Sequence, residues 1–167
     1  MASRSENTVT INQPAEKGHA ALTNADYWAH NVARLSPEAG EVAEFETTEG
    51  GAAVTLFEVL PLDILPEAVR AMISQSLKVK RVVTVGPLAE GNAHITYAAD
   101  VKGTPVDFSG EIALTGNDET TTLTYNNEVS VNIPFMGPAI EPKVAEALGE
   151  LFTNEGKLTE TWISENL

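Results

Sequence analysis

The sequence contains no cysteine, and this absence removes several classes of function at once. A chain without thiols has no disulfide framework, no cysteine nucleophile and no thiolate metal site, and it suits a reducing compartment. The three histidines, His19, His30 and His94, lack the paired spacing of a metal-binding motif. The pair Gly50-Gly51 lies between two predicted strands rather than before a helix, so it is not a phosphate-binding loop. We expect no metal and no cofactor.

Basic residues are few and scattered. Ten Lys and Arg stand against 24 Asp and Glu, which gives a formal net charge of −14, and the densest basic group is Lys78, Lys80 and Arg81. Proteins that bind nucleic acids neutralise phosphates with clustered basic side chains. We therefore expect no nucleic-acid partner and interpret the acidity as a surface that keeps molecules apart.

Long apolar runs are also missing. No stretch approaches the ~20 apolar residues of a membrane span, and residues 1–6 contain one basic residue with no apolar run behind it, unlike a secretory signal. We expect no stable membrane insertion and a cytoplasmic location. A length of 167 residues without repeats or linkers suits a single domain over 1–167. The sequence leaves the choice between monomer and homodimer open.

Polar and apolar residues alternate along much of the chain, which is the pattern of half-buried strands. The first such segment is 8–11. Turn residues such as Gly50-Gly51 separate the later ones, and these short connections favour sequential antiparallel pairing. The six later strands are predicted at 41–48, 52–60, 77–85, 93–101, 105–114 and 120–133.

Helices are predicted where apolar residues recur at helical spacing. Pro14 opens a short helix that ends at Leu22, and Asn24 caps a second one that ends at Leu35. A third, amphipathic segment at 61–76 interrupts the series of strands.

The longest predicted helix covers 141–165 and measures ~37 Å, enough to cross a small sheet. Gly156 lies inside it. Because glycine weakens a helix, its presence there predicts a bend or a close approach to a neighbouring element.

Several local motifs accompany this order of elements. They are Ser5-Glu6-Asn7-Thr8-Val9, Ala20-Ala21-Leu22-Thr23-Asn24-Ala25-Asp26-Tyr27-Trp28, Val59-Leu60-Pro61 with Leu65-Pro66, Ile133-Pro134, Ile140-Glu141 and Glu146-Ala147-Leu148-Gly149-Glu150-Leu151. Together they resemble the START-like helix-grip superfamily, which includes birch-pollen allergens, lipid-transfer domains and polyketide cyclases, and within it a bacterial family of unknown function. The resemblance implies an α+β fold, with a curved seven-stranded antiparallel sheet around a long C-terminal helix and two short helices after the first strand. It assigns no catalytic residue.

Such a fold leaves space between sheet and helix, and the alternation indicates which side chains face it. Glu58 and Arg81 are charged residues in otherwise apolar rows of neighbouring strands. Either they form a buried salt bridge with each other, or Arg81 binds the carboxylate or phosphate of a ligand. Tyr97, Tyr125 and Asn127 could orient a ligand through their polar groups. The candidate ligand-binding residues are Leu56, Glu58, Val79, Arg81, Tyr97, Phe108, Tyr125, Asn127, Phe135, Leu148 and Phe152.

Three functions remain open at this point. The first is a binding or carrier protein for a small hydrophobic or amphipathic molecule (a lipid, an isoprenoid or a polyketide-like compound), which predicts a cavity of several hundred Å³. The second is a protein-interaction module with a collapsed cavity and an exposed Phe135. The third is a cofactor-independent cyclase-type enzyme, which requires Glu58 or Arg81 to face an open cavity rather than each other.

Overall fold

The computed structural model describes residues 2–34, 40–60, 77–101, 106–132 and 137–167. They form a seven-stranded antiparallel sheet, two short helices and one long helix, as the fold prediction requires. In chain order the elements are β1 (Ala2–Ile11), α1 (Ala15–Leu22), α2 (Ala25–Arg34), β2 (Glu41–Thr48), β3 (Gly51–Leu60), β4 (Leu77–Val85), β5 (Asn92–Val101), β6 (Val106–Gly116), β7 (Thr121–Val131) and α3 (Gly137–Asn166).

The sheet is a meander from β2 to β7, and β1 pairs with the outer edge of β7. Gly50 (φ +76°) turns the chain between β2 and β3, and Gly91 (φ +79°) does so before β5; both angles lie in the left-handed region that glycine adopts readily. Between β6 and β7, the Asn117 side-chain oxygen accepts hydrogen bonds from the backbone N–H groups of Glu119 and Thr120. The predicted sequential pairing is confirmed.

One face of the sheet is buried and the other is exposed. In β7 every second residue from Thr121 to Val131 is buried, and β4, β5 and β6 show the same alternation. Because successive side chains of a strand point to opposite faces, these residues form one continuous inner surface. The core therefore lies between this surface and the helices.

The helices close the inner face. Asn24 caps α2, since its side-chain oxygen accepts a hydrogen bond from the backbone N–H of Asp26 at 2.8 Å. Helix α3 has 30 residues and is ~45 Å long; it packs against β1 and β7 and also contacts α1 and α2. The Tyr27 and Trp162 rings meet edge to face at 5.6 Å between centroids, which links α2 to α3 within the core.

Gly156 marks a close approach between α3 and β1, as the sequence predicts. A Cβ atom at this position would lie 2.4 Å from Cγ1 of Val9 on β1, and Val9 is itself buried. Valine is stiff at χ1, so its methyl group has little freedom to move away. The glycine lets the long helix lie directly on the edge strand.

We predict that Gly156→Ala lowers the free energy of unfolding by about 1–3 kcal/mol through overpacking. In a Val9→Ala background the clashing methyl group is gone, so the same change should instead be neutral or stabilising, by up to about 1 kcal/mol of helix propensity. Urea denaturation of all four proteins measures this coupling. Equal effects of Gly156→Ala in both backgrounds would contradict it.

Two elements begin earlier than predicted. β1 starts at Ala2 rather than at residue 8. The alternation does not reveal residues 2–7 as part of the strand, because polar Ser5 and Asn7 occupy positions where apolar residues would otherwise show it. α3 starts at Gly137 rather than at 141, so that Pro138 lies in its first turn, where the missing N–H would have no helical partner, and Pro142 lies inside the helix. The predicted helix at 61–76 lies outside the described residues, as do Leu35, Pro105 and Ile133.

Candidate functional site

A buried cluster of charged side chains lies at the centre of the inner face. On the paired strands β3 and β4, Glu58 faces Val79 and Arg81 faces Leu56, so the two charged residues are diagonal neighbours on one face. The Arg81 Nη2 atom donates to Glu58 Oε1 at 2.7 Å, and both side chains are almost fully buried. Of the two alternatives that the sequence leaves open for Arg81, the structure shows the salt bridge with Glu58.

Glu155 of α3 contributes a second carboxylate that the sequence analysis did not identify. Arg81 binds it in a forked arrangement, with Nη2 2.5 Å from Oε2 and Nη1 3.3 Å from Oε1. The Asn31 side chain of α2 also donates to Oε2, at 2.9 Å. The sequence does contain a signal that Glu155 faces the core. This residue lies three positions after Phe152 and four before Thr159, so it belongs to the buried stripe of α3.

The cluster connects three layers of the fold. Arg81 lies on the sheet, Glu155 on α3 and Asn31 on α2, and the guanidinium carbon is 5.8 Å from the centre of the Trp28 ring on α2. This distance permits a cation–π interaction. Glu155 thus links α3 to the sheet through Arg81, and α2 joins the cluster through Asn31 and Trp28.

The charges of the cluster do not balance, because two carboxylates share one guanidinium. Burial raises the pKa of Glu58 to about 7, and the Glu155 charge adds to this effect while Arg81 opposes it. Burial alone would lower the pKa of Arg81, but the two carboxylates raise it above its ordinary value, so the guanidinium stays charged. Glu58 is consequently the member of the cluster that titrates near neutral pH.

Three tyrosines surround the cluster, and burial raises the pKa of each hydroxyl above its usual value. Tyr27 donates to the Thr159 hydroxyl at 2.6 Å, since that hydroxyl in turn donates to the Glu155 carbonyl. Tyr97 donates to the side-chain oxygen of Asn127. All three are therefore neutral phenols rather than phenolates.

Aromatic rings fill part of the space between the sheet and α3. The ring of Tyr125 stacks on Phe152 at 4.3 Å, and Tyr97 meets both Phe152 and Phe108 at about 6 Å. One cavity between the sheet and α3, lined by described residues, has a volume of about 20 Å³. Its wall consists of Leu22, Trp28, Arg81, Val83, Ile95, Tyr97, Ile112, Leu123, Tyr125 and Glu155.

Two buried polar atoms of the cluster lack hydrogen-bond partners among the described residues. They are the Nε donor of Arg81 and the Oδ1 acceptor of Asn31. Arg81 also forms part of the cavity wall. A cavity of this size holds one water-sized group, and such a group could pair with an atom left unsatisfied.

The structure places the predicted site residues in three groups. Arg81, Tyr97 and Tyr125 line the small cavity. Asn127 forms the second group, because it lines an open, mostly polar surface depression of about 550 Å³. Tyr97 borders this depression too. The remaining described ones are buried in the core or in the charged cluster: Leu56, Glu58, Val79, Phe108, Leu148 and Phe152. Phe135 lies outside the described residues.

Two further features bear on the type of site. Within the part of the chain that the structure describes, no group of three His, Asp or Glu side chains could hold a metal ion. None of the described helices is both long and apolar enough to cross a membrane.

Comparisons with known proteins identify the family. The model of a family described as "Protein of unknown function (DUF2505)" matches residues 6–163. An uncharacterized protein from Mycobacterium tuberculosis is 30% identical over 162 residues, which cover 91% of either chain.

Solved structures show the fold. A START superfamily protein from Mycobacterium smegmatis superposes with a TM-score of 0.55 at 15% identity, covering 98% of this chain and 99% of that chain. The Zhui aromatase/cyclase from Streptomyces sp. R1128 does so with a TM-score of 0.56 at 16% identity, covering 98% and 92%. The chain thus has the START-like helix-grip fold and belongs to the DUF2505 family of proteins of unknown function.

Proposed function

We propose that the protein binds a small hydrophobic or amphipathic molecule, such as a lipid, an isoprenoid or a polyketide-like compound, between the sheet and α3. The observation that carries this proposal is the incompletely satisfied polar cluster of Arg81, Glu155 and Asn31 beside a cavity with a largely apolar and aromatic wall. Ligand sites combine an apolar lining with a few polar groups that orient the ligand.

Stability alone is a poor explanation for this cluster. A buried ion group is often replaced by apolar residues without loss of stability, because removing charges from water is costly. Unsatisfied buried donors and acceptors add a further penalty of about 1–3 kcal/mol each. A cluster with both features therefore fits a binding role better than a purely structural one.

One of the fold neighbours is an aromatase/cyclase, so a cyclase-type enzyme is an alternative. For a cyclase-type enzyme, however, Glu58 or Arg81 should face an open cavity, and in this chain they pair with each other. The geometry consequently supports binding more than catalysis.

The size of the cavity sets a condition on binding. A volume of about 20 Å³ accommodates one polar group of the ligand but not its apolar part. The apolar part of the ligand therefore lies outside this cavity. A small cavity is also compatible with the second candidate, a protein-interaction module, in which no ligand enters.

Val83→Ile separates the two candidates. Val83 lines the cavity, and one added carbon should fill it with little effect on folding stability, within about 1 kcal/mol. We expect at least an approximately tenfold loss of affinity for an amphipathic molecule, 1-octanol, measured by displacement of the fluorescent probe N-phenyl-1-naphthylamine. The matched control is Val82→Ile, which adds the same carbon on the exposed face of the same strand and should bind like the wild type.

Native mass spectrometry of gently purified protein, followed by extraction, completes the test. A co-purifying lipid-like mass in the wild type and in Val82→Ile, reduced in Val83→Ile, is the expected result. A wild-type protein that binds neither the probe nor any co-purifying molecule would overturn the carrier proposal and leave the interaction module.

A further inference from the structure

The charge of the cluster disfavours an anionic ligand. Both terminal nitrogens of Arg81 already bind carboxylates, Nη1 that of Glu155 and Nη2 those of Glu155 and Glu58. A carboxylate or phosphate entering the cavity would add negative charge beside two buried carboxylates that share one guanidinium. Like charges at such distances in a low-dielectric interior repel strongly.

The cavity wall is equally unsuited to an ammonium group. Such a group only donates hydrogen bonds, and the unsatisfied atom that Arg81 contributes is itself a donor, Nε–H. The ammonium would also lie against the guanidinium that forms part of the wall. It would thus leave the Arg81 Nε atom unpaired and place two positive charges in contact.

A hydroxyl group meets both requirements. It accepts one hydrogen bond and donates another, so it can accept from Arg81 Nε and donate to an acceptor of the cluster, such as a Glu155 carboxylate oxygen. It is also the size of a water molecule, which matches a cavity of about 20 Å³, whereas a carboxylate or phosphate group is larger.

We infer that the polar group bound beside Arg81 and Glu155 is an uncharged hydroxyl, so that the ligand is an apolar alcohol rather than a fatty acid, a phosphate ester or an amine. This inference rests on the proposed function, because it names the class of ligand for the same site. The aromatic wall formed by Trp28, Tyr97 and Tyr125 would then contact the apolar part of the alcohol next to its hydroxyl.

Displacement of N-phenyl-1-naphthylamine by four compounds of similar length tests the inference. The compounds are 1-octanol, octanoate, octylamine and 1-methoxyheptane, compared at about pH 8, where the acid is ionised and the amine protonated. We expect 1-octanol to bind most tightly, and octanoate and octylamine to be at least about tenfold weaker. The ether should be about three- to tenfold weaker than the alcohol, because it accepts a hydrogen bond but donates none.

The variants of β4 provide the internal control. Val83→Ile occupies the hydroxyl position, so it should lose the preference for 1-octanol over 1-methoxyheptane, while Val82→Ile should keep it. Octanoate or octylamine binding as tightly as 1-octanol would overturn the inference, and so would equal binding of the alcohol and the ether. In those cases the carrier proposal stands. If the wild type binds neither the probe nor any of the four compounds, the proposed function is wrong and the inference falls with it.

Discussion

Arg81→Met should lower the free energy of unfolding by about 3–5 kcal/mol, because the change leaves two buried carboxylates without their counter-ion. In the wild type the guanidinium lies 2.7 Å from Glu58 and 2.5 Å from Glu155, and it joins the sheet to α3. Methionine keeps much of the length of the side chain and removes the charged group. Urea denaturation followed by tryptophan fluorescence measures the loss.

Two further variants make this result specific. Lys80→Met removes a positive charge from the adjacent position of β4, whose side chain is only partly buried, and it should change stability by no more than about 0.5 kcal/mol. Replacing Glu58, Arg81 and Glu155 together by Leu, Met and Leu should recover most of the stability lost in Arg81→Met. A triple variant as unstable as the single one would mean that the charges themselves stabilise the fold. A triple variant that regains stability but no longer binds the probe would instead mean that the charged cluster serves ligand binding.

The sheet could be predicted from the sequence because burial on one face imposes a period of two. The row of Val79, Arg81, Val83 and Val85 illustrates this, since all four are buried and their neighbours point outward. The same row indicated that Arg81 needs a partner, and the adjacent row supplied Glu58. Glu58 and Arg81 lie on strands that are consecutive along the chain, and in an antiparallel meander such strands are neighbours, so their inner faces could be matched from the sequence.

The rest of the site depends on packing between elements distant in the chain. Glu155 reaches Arg81 only because α3 crosses the sheet at a particular rotation, 74 residues further along the chain. The small cavity likewise results from how the Tyr97, Tyr125 and Phe152 rings stack, and side-chain stacking leaves no period in the sequence. Sequence patterns predict which residues face inward, but they do not predict how much space those residues leave.

Glu58 links the stability of this arrangement to pH. Burial raises its pKa from 4.5 to about 7, so between these pH values the folded protein holds a proton that the unfolded chain has released. The free energy of unfolding therefore falls as the pH rises through this range, by up to about 3 kcal/mol above pH 7. A raised carboxyl pKa thus destabilises the folded state at neutral and alkaline pH rather than at acidic pH.

Glu58→Gln should consequently stabilise the protein at high pH, although it removes one partner of a buried ion pair. Glutamine resembles the protonated carboxyl group, and Arg81 keeps its forked interaction with Glu155. We expect equal stability of variant and wild type, within about 1 kcal/mol, near pH 4.5, and a variant more stable by up to about 3 kcal/mol near pH 8. Urea midpoints across this range measure the difference, with Glu128→Gln on the exposed face of β7 as the control that should show no such trend. A variant less stable than the wild type at pH 8 would mean that the attraction of Arg81 for Glu58 outweighs the burial of its charge, and the carboxylate would then be the form that holds the two strands and α3 together.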